Sequence, residues 1–74
     1  MTVDPDSTEL VWEQVLRILR ERIADGTYPV RLPGELALAQ ELGVARQTLR
    51  RAIAVLVDEG VVTVVRNKGV YVKK

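Results

Sequence analysis

Apolar positions recur along this chain at two different spacings, and the change of spacing divides it into elements. Val11, Trp12, Val15, Leu16, Leu19 and Ile23 fall three or four residues apart, with Arg17, Arg20 and Glu21 on the other side. That is the spacing of one helix face. Asp6 followed by Glu9 has the form of an N-cap with a capping-box partner. Gly26 supplies the left-handed conformation that ends helices. A first helix is predicted over 7–25, with residues 1–6 as a mobile polar arm. Thr27 to Leu32 reads as a turn into a short extended piece, since Pro33 forces the residue before it out of the helical region. A second helix is predicted over 35–42 from Leu36, Leu38, Ala39 and Leu42, with Gly34 as N-cap, Glu35 favouring the positive helix start and Gly43 as stop. A third begins near Ala45 or Arg46 and ends near Glu59, with an apolar stripe of Leu49, Ala52, Ile53, Leu56 and Val57. The spacing then shifts. Residues 61–65 are β-branched throughout and read as a strand. Arg66, Asn67, Lys68 and Gly69 form a turn, and residues 70–72 return as its partner. Residues 73–74 read as a tail or the start of a linker.

The predicted order is helix, short strand, helix, helix, strand, strand: a mainly α fold with a small β-hairpin (α+β). The two helices over 35–59, joined by a short glycine turn, match a helix-turn-helix. With the hairpin as a wing, the architecture is a winged helix-turn-helix occupying residues 7–72. The bland alternative for the helix pair is an ordinary helical hairpin.

Composition narrows the function. A chain of 74 residues is one small domain. It has no Cys and no His, so neither disulfides nor thiolate metal sites staple it, and Ser-His and Cys-His nucleophile pairs are impossible. No enzyme activity and no cofactor or metal are expected. No apolar stretch approaches the ~20 residues of a membrane span, no signal-peptide pattern opens the chain, and a cytoplasmic protein is expected. The net charge of +1 hides an asymmetry. Residues 1–43 hold 4 Arg against 8 Asp and Glu, whereas residues 44–74 hold 7 Lys and Arg against 2. Such a split suggests one basic face and one acidic face.

The basic residues concentrate where chemistry would use them. Arg46 and Arg50 are four apart, as are Gln47 and Arg51, opposite the Leu49–Ile53–Leu56 stripe, and Thr48 completes the first turn. Arg grips guanine N7 and O6, or a phosphate, with its two-donor fork. Gln can pair with adenine, and Thr can bond a phosphate or pack on a thymine methyl. Reading helices use their N-terminal residues for base edges, and free amides at a helix start favour phosphate. The hairpin tip, Arg66 to Gly69, is basic and small, suited to tracking a phosphate chain or entering the minor groove. Taken alone, the first cue also fits a solvated structural face and the second a plain polar turn. Trp12 reads as core, Tyr28 as packing under the loop, and Arg17, Arg20 and Arg22, interleaved with Glu13, Glu21 and Asp25, as a salt-bridged solvated face. A protein–protein docking module is the competing class, but such interfaces favour aromatics and avoid charge. RNA binding would need more stacking platforms than Tyr28 and Tyr71 supply.

Over about residues 10–72 the sequence resembles the DNA-binding domain of the GntR family of transcription regulators. The matching stretches are Leu32-Pro33-Gly34-Glu35, Leu38-Ala39, Leu42-Gly43-Val44, Arg46-Gln47-Thr48-Leu49-Arg50-Arg51-Ala52, Leu56, Glu59-Gly60-Val61-Val62 and Arg66-Asn67-Lys68-Gly69-Val70-Tyr71-Val72. The resemblance implies a winged helix that binds inverted-repeat operator DNA as a homodimer and usually represses transcription. It also implies a C-terminal domain that binds a small-molecule effector, so the chain is expected to be a domain excised from a longer regulator. DNA contact falls on Arg46, with neighbouring contacts on Gln47, Thr48 and Arg50, and the wing's contact around Asn67 and Lys68. Arg51 is expected to hold phosphate. The chain departs from the pattern at Leu36, where many members have a DNA-contacting arginine, and at Gly34, Ala45 and Asn67, which replace two capping serines and a wing-tip glycine.

Overall fold

In a computed structural model the protein is described at residues 3, 4, 6 and 8–73. The elements run α1 (Val11–Ala24), α2 (Glu35–Leu42), α3 (Arg46–Asp58), β1 (Val62–Val65) and β2 (Gly69–Val72). The expected order holds, and the helix-turn-helix bounds agree with the sequence reading within a residue.

Helix α1 begins later than Asp6 suggested. Its N-cap is Leu10, and the Glu13 carboxylate accepts a bond from the Leu10 amide at 3.3 Å. The Asp6 amide turns back to Asp4 Oδ1 at 2.9 Å. The reason lies in Gln14, the buried polar side chain, 3% exposed. Its amide bonds the Asp4 amide and carbonyl, both at 2.8 Å, and the Glu9 carbonyl at 3.0 Å. A buried amide must be satisfied, and here the preceding chain satisfies it. Val3 adds an amide bond to the Leu42 carbonyl at 3.3 Å. Of the arm expected over 1–6, positions 1, 2 and 5 lie outside the described residues, as do position 7 of the expected first helix and position 74 of the tail.

The core is a single aliphatic cluster. Val15, Ile18 and Leu19 of α1, Leu38, Ala39 and Leu42 of α2, Leu49, Ala52 and Leu56 of α3, and Val62 of β1 are all nearly inaccessible. Tyr28 is buried, as expected of packing under the loop. Three stripe assignments need correction. Val11, Leu36 and Val57 are 38%, 57% and 39% exposed, because each sits at the edge of its helix's apolar arc with no element covering it. Ile18, off the stripe read from sequence, is 1% exposed.

Strands β1 and β2 pair antiparallel, Val62 opposite Val72 through Val65 opposite Gly69. The short extended piece before Pro33 forms one bridge, Arg31 to Tyr71. The Leu32 amide donates to the Val70 carbonyl at 2.9 Å and the Val72 amide to the Val30 carbonyl at 2.8 Å. The wing is thereby fastened to the residues that lead into α2. At its tip the Lys68 amide closes on the Val65 carbonyl at 3.0 Å, and Asn67 takes φ +65°. A turn with positive φ at that position calls for Gly or Asn.

Candidate nucleic-acid interface

The turn between α2 and α3 fixes where α3 begins. Gly43 takes φ +72°, and the Val44 amide reaches back to the Ala39 carbonyl at 3.0 Å. Ala45 is the extended N-cap of α3 and offers no side-chain cap bond. The first intrahelical amide bond of α3 is Leu49 to Ala45, at 3.2 Å, so the amides of Arg46, Gln47 and Thr48 point out of the helix start unpaired among the described residues. That leaves a partial positive charge where an anion can approach.

Burying Leu49, Ala52, Ile53 and Leu56 turns the opposite face of α3 outward. At ~100° per residue, Gln47 lies in the middle of that face, Arg51 and then Thr48 toward one flank, and Arg50 and then Arg46 toward the other. Gln47 and the three arginines are exposed and Thr48 is half-buried. The two flanks are held differently. Arg46 Nε and Arg50 Nε each donate to one oxygen of the Glu35 carboxylate, both at 2.9 Å. The Arg51 guanidinium lies over the Trp12 ring, 4.4 Å from its centroid. Trp12 is therefore half-buried and serves as the platform under Arg51 as well as part of the core edge. Leu10, Gln47 and Thr48 border the same shallow depression.

Arg50, then Arg46, hold the Glu35 carboxyl below the usual glutamate range. A depressed folded value means that the interaction adds stability above the unfolded value and loses it as pH falls through the lower folded one. A carboxyl-carbon NMR titration is therefore expected to place the Glu35 midpoint below that of an exposed glutamate. A midpoint at or above the ordinary value would show the fork to be absent in solution. The pairs are exposed enough that each is worth only about 0–1 kcal/mol of stability.

Among the described residues the cations of α1 are paired with carboxylates, whereas those at the wing are not. Arg17 pairs with Glu9 and Glu21, Arg20 with Glu59, and Arg22 with Glu41. The salt-bridged face of α1 is present, with Glu21 pairing as its sequence suggested and Glu9, Glu41 and Glu59 standing in place of Glu13 and Asp25. Glu13 serves the helix start, and Asp25 accepts from the Thr27 amide and hydroxyl. Among the described residues Arg31, Arg51, Arg66, Lys68 and Lys73 have no carboxylate partner. Arg31, Glu35, Arg66 and Lys68 border one concavity between the start of α2 and the wing. Through Glu35 this concavity adjoins the Arg46–Arg50 flank.

The structure thus brings Arg46, Gln47, Thr48, Arg50 and Arg51 onto one outward helix face, and places Arg66, Asn67, Lys68 and Gly69 at the adjoining hairpin tip. Sequence reading missed three participants. Glu35 was read as helix-start chemistry and Trp12 as core, because their partners lie on other helices. Arg31 stood alone, and only its fastening to Tyr71 puts it beside the wing.

Known proteins are similar to this chain in sequence and in fold. The family model for the bacterial regulatory proteins of the gntR family matches residues 12–72. A curated HTH-type transcriptional regulator of Rhizobium meliloti (strain 1021) is 38% identical over 66 residues, which cover 86% of this chain and 27% of that protein. The HTH-type transcriptional repressor NagR of Bacillus subtilis (strain 168) is 29% identical over 76 residues, covering 100% of this chain and 31% of that protein. The chain thus spans about a third or less of the length of these relatives. Among solved structures, the DNA-binding domain of AraR in complex with operator ORX1 superposes with a TM-score of 0.86 at 30% identity, covering 99% of this chain and 93% of that one.

Proposed function

This chain belongs to the gntR family of bacterial regulatory proteins, and we propose on that footing that it binds operator sequences in double-stranded DNA to regulate transcription. Helix α3 enters the major groove by its first two turns, and the hairpin tip rests on the backbone or in the minor groove. One observation carries the reading. The cations of α1 are neutralised by carboxylates, whereas those of the wing tip, Arg51 and Arg31 are left for an external polyanion. Neutralised phosphates release condensed counterions, which supplies nearly all of the affinity for DNA of arbitrary sequence and a large share of specific binding. DNA binding is further supported by the AraR domain of like fold, which was solved in complex with an operator, and repression as the sense of regulation by the similarity to NagR, a named repressor.

The site divides by task. Arg46, Gln47 and Arg50 reach base edges, with Thr48 on a base or phosphate. Arg51, Arg66 and Lys68 grip phosphates, while Asn67 and Gly69 shape the tip. Two copies in a full-length homodimer would read the halves of an inverted repeat. A small-molecule effector would act through the part of such a regulator that lies beyond this domain. Regulation of this kind takes place in the cytoplasm. Among the described residues no helix is long and apolar enough to cross a membrane.

Lys68→Ala tests the wing. Fluorescence anisotropy with labelled duplexes at several salt concentrations is expected to show uniform weakening across sequences. The slope of log affinity against log salt should fall by about 1. Sequence-dependent weakening would place Lys68 at a base instead.

A further inference from the structure

The feature left over by this reading is a carboxylate at the centre of a surface that should attract phosphate. Glu35 is half-buried and bonded to both arginines of one α3 flank, Nε to oxygen in each case. Three facts give it a purpose. The bridges contribute little stability at this exposure, so fold maintenance does not account for them. Both arginines use Nε, and among the described residues neither Nη of either bonds the protein; the bonded carboxylate restrains each guanidinium and leaves its Nη pair available to donate. A guanidinium reads guanine with two parallel donors, and with Nε occupied only the terminal Nη pair is available. Finally, one negative charge against two positive ones reduces the attraction of the flank for any phosphate without blocking the donors that read bases.

We propose that Glu35 is a positioning residue for sequence discrimination. It aligns Arg46 and Arg50 for end-on reading through their Nη pairs and holds down affinity for DNA of arbitrary sequence. The inference rests on the DNA-binding reading and deepens it. Glu35 itself touches no base.

Two substitutions separate alignment from charge. Glu35→Gln keeps the size but replaces the oxygen that accepts from one arginine with an NH2 donor, which faces that guanidinium with no acceptor. Glu35→Asp keeps the charge but is too short to span both. The 74-residue chain is first used to select a preferred duplex from a random-sequence library. Dissociation constants are then measured for that duplex and a scrambled duplex of equal length, over a range of salt, with thermal melting as a check on folding.

For Glu35→Gln, affinity for the scrambled duplex is expected to rise several-fold with a steeper salt slope. The ratio of selected to scrambled affinity should fall about tenfold, the loss of one well-placed two-donor contact. For Glu35→Asp the ratio falls while the scrambled-duplex salt slope stays at the wild-type value. If both variants keep the wild-type ratio, or lose affinity for both duplexes in parallel with a lowered melting temperature, the positioning role is overturned. If the wild-type chain selects no sequence, the DNA-reading function itself fails, and the inference with it.

Discussion

Arg46→Ala is expected to weaken binding to a selected operator by about 1–3 kcal/mol and to relax base preference at one position, the signature of a lost two-donor base contact. The residue opens α3, is exposed, and has its Nε tied to Glu35 at 2.9 Å, leaving its Nη atoms available to donate. Arg46→Lys should recover little of the loss, because an ammonium supplies charge but no planar fork. Measured on operators varied one base pair at a time, the loss should be concentrated at the pair that Arg46 reads. Equal weakening at every position would make Arg46 a phosphate contact, and unchanged affinity would remove α3 from the interface.

Leu56→Ala has the second large effect, on the fold. Leu56 is fully buried in α3, within the cluster that joins α3 to α1. Removing a buried leucine side chain costs about 2–5 kcal/mol. A domain of this length has only about 4–11 kcal/mol in total, at roughly 0.05–0.15 kcal/mol per residue. The variant should therefore lose a large fraction of its stability in urea unfolding followed by circular dichroism. Leu36→Ala, at a position 57% exposed, should stay within about 0.5 kcal/mol of wild type. An unchanged midpoint for Leu56→Ala would mean that the α1–α3 packing does not hold the domain.

The contrast between Leu56 and Leu36 shows what the sequence makes legible. Both occupy apolar phases of their helices, but periodicity gives only a direction, and burial depends on whether another element covers it. The bounds of α2 and α3 were readable because Gly43 and Gly60 end them by backbone chemistry that acts locally. The start of α1 was not, because Asp6 and Glu9 have cap chemistry that the fold overrides, drawing the preceding chain onto Gln14. The basic residues of α3 were readable because they follow one another on one helix. The fork on Glu35 and the stack on Trp12 were not, since both join residues on different helices. No local spacing marks either one. The place of Arg31 beside the wing depends likewise on a strand pairing across forty residues.

The most direct measurement is an NMR titration of the isotope-labelled chain with duplex DNA, at low and at moderate salt. The account predicts amide shifts concentrated over residues 45–51 and 66–69 and at Arg31, together with arginine side-chain shifts at Arg46 and Arg50. All should shrink as salt rises. Shifts confined to the ion-paired outer face of α1, or no shifts even at low salt, would contradict it.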